Sequence, residues 1–361
     1  MSEWRPDLLG EGFECLDLDL GVDDAPASDW TGDEEIPLVA TLVRSLPEPL
    51  GFWQSIRGHA RELEAVDVLY VHGWSDYFFQ RRMAEFWTER GARFYALDLR
   101  RYGRSLRPGQ LHGYVEHLDD YHAEIDMAVQ QIVGAGGHKQ ESSPGSGLRP
   151  SDDPPRRLVL FGHSTGGLVL SLWADRNRGI ADALVLNSPW LQLQVGDTMR
   201  KAIAPVVNLR ARLNPLADAL PQLDMGFYKR AQAMVADPDE QAAINLDWRP
   251  EHPAPVRGGW LKAILEGHAR VAAGIDVGAP VCMLLSARSY FGISWRDEML
   301  RADTVLEVEG IARAGLRIGS SLTVERIDGA LHDVFLSEES VRTEAYARLD
   351  RWTRGWMAAT S

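Results

Sequence analysis

The chain has 361 residues, 45% of them hydrophobic, with 38 Lys and Arg against 52 Asp and Glu and a formal net charge of −14. That length holds one large α/β domain with an insertion, or two ordinary domains, and the apolar fraction is ample for a core. The acidic balance argues against nucleic acid and anionic membrane surfaces as partners, and no apolar run is long enough to span a bilayer.

In chain order, Phe13 to Leu20 and Leu38 to Leu46 are rich in strand formers and are separated by an acidic stretch bearing Pro and Gly, which predicts an antiparallel pair at a sheet edge. From Val66 the rhythm becomes strand then helix. Strand-like runs fall at Val66–Val71, Phe94–Leu97, Leu158–Phe161, Ala183–Leu186, Val281–Leu285 and Leu322–Ile327. Helical patterns lie between most of them, at Tyr77–Arg90, His117–Val133 and Leu168–Asn177. This alternation predicts an α/β fold with a mostly parallel eight-stranded sheet and helices on both faces. Two stretches interrupt it. Residues 135–155 are small, polar and Pro-rich, a pattern that predicts a mobile surface loop. Residues 190–255 hold the amphipathic stretches Met199–Leu213 and Phe227–Ala236, and a helical cap above the strand ends is expected there. The predicted division is therefore 1–189 and 256–361 as two parts of one core, with 190–255 as the insertion.

The run Arg157-Leu-Val-Leu-Phe-Gly-His-Ser-Thr-Gly-Gly167 carries the chemistry. It reads as a strand, a G-x-S-x-G turn at Gly162–Gly166 and a helix, the setting of a nucleophile elbow that exposes Ser164. A serine nucleophile needs a base and a carboxylate to orient that base. His332 fits the base, because it follows the last strand-like run in the Gly-containing loop Asp328-Gly-Ala-Leu-His332. The acid is less defined. The place a few residues past Leu285 carries Ser289; downstream stand Asp297, Glu298 and Asp303. Asp303 is favoured, since Asp303-Thr-Val-Leu-Glu307 reads as a turn acid before a helix, displaced by an insertion from Tyr290 to Ala302; the alternative role for Asp303 is a helix N-cap. Backbone N–H groups of Trp74, in Val71-His-Gly-Trp74, and of Thr165 are placed to form an oxyanion hole. His72, Gly73, Tyr77 and Trp190 are candidate substrate contacts.

Val71-His-Gly-Trp74, Leu97-Asp-Leu-Arg-Arg-Tyr-Gly-Arg-Ser105, Gly162–Gly167 and Asp328–His332 together resemble the α/β-hydrolase superfamily, within it the monoglyceride lipase, lysophospholipase and serine-aminopeptidase-like group. The resemblance covers about Val66 to Trp356. It implies ester hydrolysis through an acyl-enzyme, no cofactor, and a scaffolding role for Asp98 and Arg100. Ser289 departs from its pattern. The aromatics Trp74, Tyr77, Phe78, Phe79, Trp190, Phe227 and Tyr228 suggest an apolar acyl pocket, so a small-molecule ester with a medium or long acyl chain, of monoglyceride or lysophospholipid type, is the first expectation. Amide or peptide cleavage by the same triad is the second, and a non-catalytic ligand-binding protein is the third. Cys15 and Cys282 show no metal spacing, and the N-terminus lacks the pattern of a signal peptide. A cytoplasmic location without a bound metal is expected.

Overall fold

The computed structural model describes residues 3–24, 35–49, 61–134, 156–193, 214–218 and 226–360. Nine strands form one sheet: β1 (Arg5–Pro6), β2 (Phe13–Val22), β3 (Pro37–Ser45), β4 (Val66–Val71), β5 (Arg93–Asp98), β6 (Arg157–His163), β7 (Ala183–Asn187), β8 (Val281–Ser286) and β9 (Leu322–Ile327). Their order is β1-β2-β3-β5-β4-β6-β7-β8-β9. The first three are antiparallel, β3 joins β5 antiparallel, and the six from β5 to β9 run parallel. The eight expected strands are present; the ninth corrects the count. It is β1, two polar-flanked residues paired with Glu14 and Cys15, too short to show a pattern in sequence.

The parallel strands are apolar on both faces because helices cover both. Along β4, Val66, Val68 and Tyr70 point into one cluster, and Leu69 and Val71 into the other. The first cluster is closed by α1 (Arg81–Glu89) through Met83 and Trp87, and by α8 (Glu339–Ala359) through Leu349 and Trp356. The second is closed by α2 (His122–Gly134), α3 (Thr165–Arg176), α6 (Gly258–Ala273) and α7 (Val308–Gly315). Cys15 and Cys282 are free and buried in the first cluster, where each acts as a small apolar side chain.

Of the β7–α6 connection, the described part holds α4 (Phe227–Val235) and the short α5 (Pro238–Ala242). The expected loop at 135–155 and the expected helical stretch Met199–Leu213 lie outside the described residues. The helix predicted from Tyr77 starts at Arg81 instead. Residues 75–82 are held by the β7–α6 connection: Ser75 Oγ accepts from Ala254 N at 3.1 Å, Asp76 lies 2.7 Å from Arg249, and Tyr77 Oη accepts from Asn245 N at 2.7 Å and donates to Ala243 O at 3.2 Å. Glu240 Oε1 accepts from Arg82 N at 3.1 Å. Among the described residues no helix is long and apolar enough to cross a membrane.

Candidate active site

The turn between β6 and α3 is set by close backbone packing. A Cβ on Gly162 would stand 2.6 Å from Gly167 Cα, and one on Gly166 would collide with the carbonyl oxygens of Val71 and His72. Only glycine lets the chain pass so near itself at both places. Ser164 between them is held at φ 52°, ψ −117°, a region that costs a non-glycine residue roughly 1–3 kcal/mol. The compensation comes from the ends of neighbouring strands: Ser164 N donates to Asn187 O at 3.0 Å, and Trp190 N donates to Ser164 O at 2.9 Å. The elbow is thereby fixed to β7 and the loop after it.

Ser164, at 8% exposure, opens on a cavity of about 440 Å³. Gly73, Trp74, Thr165, Trp190 and His332 line the same cavity. Gly73 passes so near Ser164 that a Cβ there would lie 3.1 Å from the serine Cβ.

His332 follows β9 and is nearly buried, and its Nδ1 lies 2.9 Å from Asp303 Oδ2. Asp303 is completely buried, and its Oδ1 accepts from Val305 N and Leu306 N, both at 2.7 Å. Residues 290–302 do form an excursion from the end of β8, and it closes on itself. Tyr290 N donates to Asp303 O at 2.9 Å and Asp303 N to Arg288 O at 3.0 Å, so that Asp303 returns alongside Ser289. Ser289 Oγ donates to Leu306 O at 2.8 Å and accepts from Val308 N at 2.9 Å, which steadies the segment after Asp303. The N-cap of α7 is Glu307, whose carboxylate accepts from Glu309 N and Gly310 N. Asp297 and Glu298 lie exposed on a single 3₁₀ turn of the excursion; no contact joins either to His332 among the described residues.

Two expected substrate contacts need correction. His72 does not line the cavity: its ring is 1% exposed, with Nδ1 donating to Gly73 O at 2.8 Å and Nε2 accepting from Leu99 N at 3.1 Å. It holds the loop after β4 against the end of β5. Tyr77 is fully buried beside Phe79 and Trp248, and its hydroxyl is occupied by Ala243 and Asn245. Asp98 and Arg100 also lie outside the cavity. Asp98 binds Phe78 N and Arg104, and Arg100 binds Glu124.

Sequence reasoning missed Asn187. Its carbonyl accepts from Ser164 N and His163 Nδ1, and its side chain donates to Asp333 Oδ1 at 2.7 Å and accepts from Val334 N at 3.2 Å. One residue thus joins the turn holding Ser164 to the loop holding His332. The signal was a lone amide closing the apolar run Ala183–Leu186 at the crest of the sheet. Also missed were Tyr290 and Phe291, which line the cavity from the excursion. Burial lowers the pKa of the His163 imidazole, and burial raises that of the Tyr228 phenol well above its ordinary value. Both groups therefore face the cavity neutral. No cluster of His, Cys, Asp and Glu among the described residues is arranged to hold a metal ion.

Solved structures share this fold at low sequence identity. A monoacylglycerol lipase from Paleococcus ferrophilus is 17% identical, with 80% of this chain and 94% of that one covered at a TM-score of 0.55. A soluble variant of the Saccharomyces cerevisiae monoglyceride lipase, bound to a substrate analogue, is 15% identical with 94% and 98% covered and a TM-score of 0.57. A lipase in an open form is 15% identical with 95% and 99% covered and a TM-score of 0.61. The sequence itself matches the hydrolase family described as serine aminopeptidase, S33, over residues 64–289, more than half of the chain. With strand order, elbow and family match in agreement, the chain has the α/β-hydrolase fold and belongs to the serine aminopeptidase S33 family of hydrolases.

Proposed function

We propose that the protein is a serine hydrolase of carboxylic esters with an apolar acyl part, the class that includes monoglycerides and lysophospholipids. The observation that carries this reading is the buried His332 Nδ1–Asp303 Oδ2 contact of 2.9 Å, in a wall of the cavity that Ser164 opens on. With Asp303 ionised, the imidazole proton sits on Nδ1, and Nε2 is left to act as base. His332 takes the Ser164 proton as Oγ attacks the ester carbonyl. The amides of Trp74 and Thr165 receive the developing oxyanion. His332 then protonates the leaving alcohol, and water activated by the same imidazole releases the acid. Asp303 orients the ring and stabilises its charged form throughout. The described part of the 190–255 insertion, which lines the cavity with Phe227, Tyr228 and Arg249, acts as a cap over this site, and Gly73 and Trp190 meet the substrate. The two buried thiols fit a reducing, cytoplasmic setting.

Ser164→Ala and His332→Ala are each expected to lower p-nitrophenyl ester turnover by roughly 10⁴ or more, with circular dichroism unchanged. A fluorophosphonate probe labels the parent protein and leaves Ser164→Ala unlabelled. Turnover retained in either variant overturns the reading, and an inert Ser164 in the parent favours a ligand-binding protein. The family description favours one second reading, hydrolysis of aminoacyl amides by the same residues. Aminoacyl anilides assayed beside the esters decide between the two.

A further inference from the structure

Six of the side chains lining the cavity are aromatic: Trp74, Trp190, Phe227, Tyr228, Tyr290 and Phe291. They come from four separate places in the chain, namely the loops after β4 and β7, helix α4 and the 290–302 excursion. Aromatics that pack the sheet are sealed away, with Tyr70, Phe94 and Phe161 at most 1% exposed. None of the six is buried in that way, and Phe291 is 55% exposed. Part of each ring is therefore open to a ligand, although Trp74 and Trp190 also pack against the core.

Four of the rings are also held by ring contacts. Buried Trp260 backs two of them, with its ring centroid 3.8 Å from that of Trp74 and 6.0 Å from that of Trp190. Phe227 packs on Trp295 at 6.2 Å and 65°, and the Arg230 guanidinium stands 4.2 Å over Trp295. Tyr228 meets His332 edge-on at 5.5 Å and 86°, so one aromatic wall reaches the reacting groups themselves. A fixed ring presents a negative face and a positive edge, and another flat ring gains from both, beyond the area it buries. An alkyl chain gains from area alone.

We infer that the acyl group taken by this site carries a planar aromatic ring a few bonds from the ester carbonyl. A cavity of about 440 Å³ holds an arylpropanoyl group with room for the alcohol part. The inference rests on the ester-hydrolase reading and narrows its substrate.

The test compares methyl 3-phenylpropanoate with methyl 3-cyclohexylpropanoate, which share a carbon skeleton. The saturated ring is bulkier and more apolar, so burial alone favours it. Ring–ring contact reverses the order, and the phenyl ester is expected to show a kcat/KM about three- to tenfold higher. In the double variant Phe227→Leu, Phe291→Leu the ratio falls toward one. Because the ratio is taken within a single preparation, any loss of folded protein cancels. A ratio at or below one in the parent protein overturns the inference, as does a ratio left unchanged in the variant. Turnover of neither ester counts against the inference when fluorophosphonate still labels Ser164; an unlabelled Ser164 means that the hydrolase reading has failed instead.

Discussion

Ser164 and Asp303 are placed by different kinds of structure. Around Ser164 the constraints are local: two glycines, the backbone of β4 passing beneath, and one carbonyl at the end of β7. Asp303 follows an excursion of the chain that leaves Ser289 and comes back to it, and it is held by backbone hydrogen bonds that exist only once the excursion has closed. A side chain at the end of a parallel strand is positioned by the sheet. One beyond an inserted segment is positioned by how well that segment closes. Substitutions at the first kind of place should act by collision, and those at the second by loosening.

The largest effect should come from Asp303 itself. Asp303→Asn keeps the shape but reverses the sense of the hydrogen bond to His332, and kcat is expected to fall by roughly 10³–10⁴ with KM little changed, read in steady-state ester assays. Next is Gly166→Ala. Its new methyl collides with the carbonyls of Val71 and His72, so the elbow must shift. Roughly 100-fold of kcat should be lost, accompanied by a lower Tm. Equal activity in this variant would show that the elbow is far more yielding than its geometry implies. Ser289→Ala removes the bridge between Leu306 O and Val308 N and probes the loosening side. About 1 kcal/mol of stability and several-fold of kcat are expected to go together, measured by urea unfolding and ester assay. Asp297→Asn and Glu298→Gln should change neither quantity by more than about 0.5 kcal/mol, and a large loss in Asp297→Asn would move the acid to that residue.

The β7–α6 connection offers a further case, one with a pH signature. Glu240 is buried, and that burial raises its carboxyl pKa to about 7. Its folded pKa thus lies above the unfolded one, so its contribution to stability is intact below the unfolded value of about 4.5 and is lost as pH rises through about 7. Glu240→Gln should remove that loss, leaving the variant more stable than its parent at pH 8 by roughly 2 kcal/mol, with little difference at pH 4. Melting curves across this range check the sign, and a parent protein whose Tm does not decline relative to the variant between about pH 4.5 and pH 7 contradicts it.

What could be read in the sequence follows the same division. The eight longer strands, the elbow and His332 lie in short contiguous patterns where strand period, turn residues and chain order coincide. Asp303 was legible as a turn acid, yet nothing local in the sequence says that Tyr290 and Asp303 meet, since that pairing joins residues on either side of the excursion. His72 was misread for a related reason. Beside a glycine in a site loop it looks like a substrate contact, but the bonding groups that capture its ring, at Leu99 and Gly73, are visible only when β4 and β5 lie side by side. Tyr77 was drawn into a helix by its apolar neighbours, and its hydroxyl is claimed by Ala243 and Asn245, more than 160 positions away.

The closure of the 290–302 excursion has a consequence for how this protein can be changed. Because Ser289 and Asp303 are joined at its neck, the length of what lies between them is almost decoupled from the place where the carboxylate ends up. Doubling the length of a flexible loop costs only about 0.6 kcal/mol in closure entropy. The excursion is thus an exchangeable cassette: Phe291 and Met299 can be swapped, and the chain around them shortened or extended, as one block of cavity wall, with the neck at Tyr290 and Asp303 left intact and Ser164 and His332 untouched. Redesign of selectivity on this scaffold has a natural place to cut and rejoin the chain.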